Sequence, residues 1–234
     1  MSHADLSTPL RPGTPARRPV ALGVVVVLAW ALILGVVVGF GWLITHPWGR
    51  AVDSFDNPIS RWFAGERTSA LNTPAEVGTM LGETVVGMGV AVVAAVGFSL
   101  WRRQVLPAVF LALVTAGVGG IYFVAGHVDP RQRPPVRILD PGLVPDHSFP
   151  SGHVGTATAV YGAIVVLSWA YARRSRSWVW GLLALPVLVL LARLYQGAHH
   201  LTDVLATVVY ASVWVLVLAR LLLTGVADRV SSGR

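Results

Sequence analysis

Six apolar runs, at about 20–44, 77–100, 105–125, 154–171, 178–192 and 204–223, decide what this chain can fold into. A helix needs about 20 apolar residues to cross roughly 30 Å of hydrocarbon, and each run reaches or nearly reaches that length. The first run follows a basic flank but exceeds the 7–15 or so apolar residues of a signal peptide, so it reads as a span. Glu83 interrupts the second run and Pro186 the fifth. The predicted fold class is all-α: an integral membrane bundle of six helices, whose even number puts both termini on one side. With 54% hydrophobic and 12% charged residues, the bilayer is the expected solvent. The expected organisation is a disordered tail at 1–19, rich in Pro, Ser and Thr, one domain at 20–223, and a short tail at 224–234.

The basic residues are 18 arginines and no lysine, and they fall in short clusters between apolar runs. That distribution is a topology signal rather than a nucleic-acid face, so no nucleic acid is expected. With the amino terminus inside, Arg11, Arg17, Arg18, Arg102, Arg103, Arg173, Arg174, Arg176, Arg220, Arg229 and Arg234 lie on the inner side. Both tails are then cytoplasmic. The segments 45–76 and 126–153 lie at the outer face of a cell membrane, toward periplasm or exterior. A short amphipathic helix is predicted around Ile59–Ala64, with Trp62 and Phe63 at headgroup level. The chain has no cysteine, which excludes disulfides and thiolate metal sites.

Six of the seven histidines collect on the predicted outer side, near span ends, together with a set of arginines. Arg131, Arg133 and Arg137 lie in RQRPPVR, and Arg193 precedes His199 and Asp203 in ARLYQGAHHLTD. A guanidinium presents a planar fork of donors that matches phosphate oxygens, so Arg133 and Arg193 suit a phosphate clamp. Ser151 and Gly152 begin the fourth span, where a hydroxyl and free N–H groups favour an anion, and His153 lies in the same turn. On a helix, His199 and Asp203 share one face, and the carboxylate can accept the imidazole N–H. The other ring nitrogen is then free to attack phosphorus, and His153 can protonate the departing alkoxide.

Three blocks in order carry a family resemblance: Arg133-Pro134, then Pro150-Ser151-Gly152-His153, then Arg193, His199 and Asp203. The sequence resembles the type-2 phosphatidic acid phosphatases, whose pattern is KxxxxxxRP, PSGH and SRxxxxxHxxxD, over roughly residues 50–223. The resemblance implies a lipid phosphate phosphatase with His199 as the phosphorylated nucleophile and His153 as the acid. It implies that Asp203 orients His199, that Arg133, Ser151, Gly152 and Arg193 bind phosphate, and that His200 has no assigned role. No cofactor or metal is implied, and the expected partners are the lipid phosphate substrate and membrane lipids.

Two positions depart from the pattern. The motif lysine falls on Gly126 and the motif serine on Ala192. Arg131, Arg137 or His127 could replace the lysine, and the RxRP spacing favours Arg131. Glu83 has two readings, pairing with a site arginine or lying near the outer interface. Competing functions are a metal-dependent hydrolase using His147, His153, His199 and Asp203, a non-catalytic lipid-phosphate binding or transport protein, and a vanadate-bound oxidase. The pattern does not choose among phosphatidic acid, phosphatidylglycerol phosphate and polyprenyl phosphates or diphosphates.

Overall fold

The computed structural model describes residues 19–171 and 176–224. The expected tails, apart from Pro19 and Thr224, lie outside the described residues, as do Arg173 and Arg174. The described chain is helical: α1 (Pro19–Thr45), α2 (Gly49–Gly65), α3 (Ser69–Met80), α4 (Thr84–Arg102) and α5 (Leu106–Val128) precede a long irregular connection. After it come α6 (Gly152–Tyr171), α7 (Arg176–Val179) with a 3-10 turn at Trp180–Leu183, α8 (Ala184–Tyr195) and α9 (Leu201–Leu222).

Among the described residues five helices are long and apolar enough to cross a membrane: Val20–Thr45, Thr84–Arg102, Leu106–Val128, Gly152–Tyr171 and Leu201–Leu222. The fifth predicted run instead forms the shorter apolar stretch Trp180–Tyr195. The second predicted run is also divided. Its first residues belong to α3, the chain turns at Leu81–Glu83, and the span begins at Thr84. Packing explains the turn, because a Cβ on Gly82 would sit 2.7 Å from the carbonyl oxygen of His153 and 2.6 Å from Cγ1 of Val189. Glu83 is therefore an exposed residue at the N-terminus of α4, just before the candidate span. It makes no ion pair among the described residues.

Burial ranks the spans. Only 6% of the α1 window is buried within the protein, against 67% of the α6 window, so α6 is the central helix and α1 faces lipid. Accordingly α6 packs against α4, α5, α8 and α9. Phe110, Val114, Ile121, Leu167, Trp214 and Leu218 fill the core between them. The predicted amphipathic segment is longer than expected: α2 buries Asp56 and Ser60 on one side and leaves Phe55 and Trp62 exposed on the other. At the same end of the bundle lie α3, the connection 129–151 and the turn between α8 and α9, joined by bonds such as Leu139 N–H to the Gln196 carbonyl at 3.0 Å.

Candidate active site

The turn between α8 and α9 sets the position of His199. Helix α8 ends at Tyr195, and Gly197 adopts φ +70°, a left-handed conformation that glycine enters without steric penalty. A Cβ there would also meet Arg67 Nη2 and Val136 Cγ2 at 2.8 Å. The chain then re-enters a helix at Leu201, with His200 as N-cap in a capping box closed by Asp203. His199 thus stands one residue before the cap. It lies outside the helix, and the one-face argument for His199 and Asp203 fails for that reason.

The contacts follow this geometry. Nδ1 of the buried His199 lies 2.6 Å from the carbonyl oxygen of Ser148, so that nitrogen carries the proton and Nε2 keeps its lone pair. Asp203 does not bond His199 directly. Its Oδ2 accepts the Ser148 hydroxyl at 2.6 Å and the His200 N–H at 2.9 Å, while Oδ1 accepts Nη1 of Arg131. Asp203 fixes Ser148, and Ser148 fixes the imidazole. Burial first, then the positive charges of Arg193 and Arg133, hold the His199 pKa well below the usual imidazole range; Asp203 and the Ser148 bond oppose them. The ring is neutral at pH 7.

Arg193 is fully buried on α8. Its Nη1 donates to Asp140 at 2.7 Å and to Gln196 at 2.8 Å, but its Nε and Nη2 have no partner among the described residues. Leaving a buried donor unmade costs about 1–3 kcal/mol, and more for a charged group, so this open edge calls for an anion. Arg133 is anchored by Nε on the Val144 carbonyl at 2.8 Å and by Nη1 on the Ala198 carbonyl, beside His199. Burial, and next the charge of Arg193, lower its pKa from the ordinary arginine value. Both guanidinium groups act electrostatically on His153, which lies half-buried in the first turn of α6. Asp140 acts on it too. Ser151 spends its N–H on the Thr207 hydroxyl at 2.9 Å and its Oγ caps the N–H of Val154 at 3.5 Å. Its hydroxyl hydrogen has no acceptor among the described residues. The N–H groups of Gly152 and His153 lack intrahelical acceptors, as at any helix start.

The arrangement brings His199, His153, Arg133, Arg193, Ser151 and Gly152 to one end of the bundle and leaves other expected residues out. Arg131 is turned away: Nη2 bonds Asp56 at 2.9 Å, and Nη1 bonds Thr202 at 2.7 Å and Asp203. Burial opposes its charge, but Asp203 and Asp56 outweigh burial and raise its pKa. Arg131, the expected lysine substitute, is thus already paired with two buried carboxylates. His127 is exposed, and its Nδ1 lies 2.7 Å from the Phe123 carbonyl. Arg137 is exposed and enters the network only through its carbonyl, which accepts Arg67 Nη1 at 2.8 Å. Asp56, Asp140, Ser148 and Gln196 were not foreseen. Asp140 offered a signal, an acid within the Pro-rich connection, whereas Ser148 acts mainly through its backbone and offered none. A cavity of about 350 Å³ opens beside the network, lined by Thr45, Asp53, Asn57, Arg131, Arg133 and His200.

The comparisons bear on the fold and the family. A solved structure described as the first transmembrane PAP2 type phosphatidylglycerolphosphate phosphatase from Bacillus subtilis superposes with a TM-score of 0.69 at 23% identity, covering 90% of this chain and 98% of its own. At that identity the likeness establishes the fold: a multi-pass, all-helical membrane protein. A comparison with curated protein sequences finds no match. The model of the PAP2 superfamily matches residues 107–225, more than half of the chain and the whole stretch that carries the three blocks, and the chain belongs to that superfamily.

Proposed function

We propose that this protein is a lipid phosphate phosphatase that hydrolyses a terminal phosphate through a phosphohistidine at His199. The observation that carries the reading is the buried Arg193 edge, two donors without a partner among the described residues, beside a second guanidinium and a neutral imidazole with a free Nε2. A phosphate accepts from Nε and Nη2 of Arg193, from Arg133 and from the first turn of α6. Nε2 of His199 attacks phosphorus, the bond from phosphorus to the leaving oxygen breaks, and His153 protonates that oxygen. In the second step His153 takes a proton from water, whose oxygen attacks the phosphohistidine, and inorganic phosphate leaves with His199 neutral again. Asp203 holds Ser148, which holds the Nδ1 proton of His199. Asp140 and Gln196 aim the open edge of Arg193.

Arginine placement supports cytoplasmic termini and a site at the outer face of the cell membrane, with Trp180–Tyr195 as the sixth, short crossing. The domain at 20–223 then acts as one unit on a lipid that arrives laterally. The solved neighbour's own substrate name makes phosphatidylglycerol phosphate the first lipid to test, alongside phosphatidic acid and polyprenyl phosphates and diphosphates. Purified protein in detergent with excess chelator is expected to release inorganic phosphate from at least one of these. Loss of release on chelation would replace this mechanism with a metal-dependent one.

The pH dependence carries a second prediction. His199 must be neutral to attack, and the charge of Arg133 disfavours its protonated form. Arg133→Gln removes that charge, raises the His199 pKa and moves the acid limb of kcat/KM to higher pH, on top of a loss of affinity. The substrate's own ionisation is the same for both proteins, so the displacement reports the imidazole. A limb that stays in place or moves to lower pH contradicts the assignment.

A further inference from the structure

The family pattern has a cation at position 126, this chain has Gly126, and the expected substitutes Arg131, His127 and Arg137 are engaged or directed elsewhere. Tyr122 stands one helical turn before Gly126, on the same side of α5. Its ring lies against the start of α6: a Cβ on Gly152 would come within 3.1 Å of its Cε2 and 3.2 Å of its Cζ. Cζ bears the hydroxyl, so the phenol oxygen is held beside the first turn of α6, where the N–H groups are open. Both Arg133 and Arg193 lie within electrostatic reach of this phenol. The side chain is 39% exposed, and its hydroxyl makes no hydrogen bond among the described residues.

We propose that the Tyr122 hydroxyl donates a hydrogen bond to the bound phosphate in place of the absent lysine, as a further substrate-binding group of the phosphatase site. The inference rests on the functional reading given above. A phenol donates without adding a positive charge, so two guanidinium groups and a helix N-terminus are left to balance the phosphate. It also gives Gly152 a second purpose. A side chain at that position would crowd the ring, whereas glycine lets the phenol reach the helix start.

Tyr122→Phe removes the hydroxyl and keeps the ring on Gly152. With the full chain in detergent, the dissociation constant of inorganic phosphate by calorimetric titration is expected to rise about tenfold or more, the usual effect of losing one bond to a charged group. kcat/KM on the lipid substrate falls by about 10- to 100-fold with the thermal midpoint unchanged. A Cβ at Gly126 meets the Phe149 carbonyl at 3.6 Å and His147 Cδ2 at 3.9 Å, ordinary contact distances, so a β-carbon is admitted there. Gly126→Lys in the Tyr122→Phe background is expected to recover phosphate affinity. Wild-type phosphate affinity in Tyr122→Phe overturns the proposal, and so does a loss of affinity matched by a fall in thermal midpoint, which marks a packing role. If the wild type binds phosphate but turns over no lipid phosphate, the functional reading fails while the titration still decides for or against Tyr122.

Discussion

His199→Ala is expected to lower phosphate release at least about a thousandfold, because in the proposed mechanism it removes the attacking atom itself. No neighbour can take its place. His200 is the adjacent imidazole, but its Nδ1 faces Asp203 Oδ2 at 3.4 Å, and it serves as N-cap of α9. Single-turnover labelling with a lipid carrying radioactive phosphate separates the steps: wild type holds acid-labile label on the protein, and His199→Ala holds none. Ser148→Ala provides the contrast. It deletes the hydroxyl that binds Asp203 but keeps the carbonyl that receives the His199 proton, so a loss of only about tenfold is expected from one weakened support. Label retained in His199→Ala, or release within a few fold of wild type, would sink the phosphohistidine mechanism.

The membrane-spanning helices were legible because hydropathy acts locally. Four of the predicted runs fall on candidate spans with ends shifted by a few residues, and the family blocks fall on residues that the fold gathers at one end of the bundle. What the sequence concealed depended on distance and on helix ends. Asp56 and Arg131 are separated by 75 positions, and no pattern in either segment announces the pair. The four-residue spacing of His199 and Asp203 invited a helical reading, yet the helix begins between them, at Leu201. The second predicted run carried only Glu83 as an interruption and was read as one span, while the turn places Gly82 where backbone from α6 and a side chain from α8 leave no room for a Cβ. Arg131 and Arg133 look equivalent in RQRPPVR. Alternation along an extended segment sends both to the same side only in an ideal strand, and here their partners lie on different elements: Arg131 on α2 and α9, Arg133 on the two connections.

That difference leads to the second large effect. Arg131→Ala is expected to destabilise the protein by about 3–5 kcal/mol, the range for breaking a buried charge network by removing one partner. Asp56 and Asp203 are both fully buried, and Arg131 is their shared counter-charge. Thr202 offers Asp56 a hydroxyl at 2.5 Å and an N–H at 3.2 Å, but neither carries charge. Arg131→Lys recovers only part of the loss, since a single ammonium cannot span two carboxylates as the planar fork does. Arg133→Ala has the opposite profile: its anchors are backbone carbonyls, so the thermal midpoint in detergent changes little while phosphate affinity falls. If Arg131→Ala instead kept wild-type stability and lost phosphate affinity, Arg131 would belong to the phosphate site after all. The network has a directional consequence as well. Asp56 belongs to amphipathic α2 and Asp203 to the start of α9, so α2 is tied through Arg131, Asp203 and Ser148 to the ring of His199. Loss of Arg131 is therefore expected to loosen the ring of His199 as well as the fold, and Arg131→Lys to recover stability more fully than kcat.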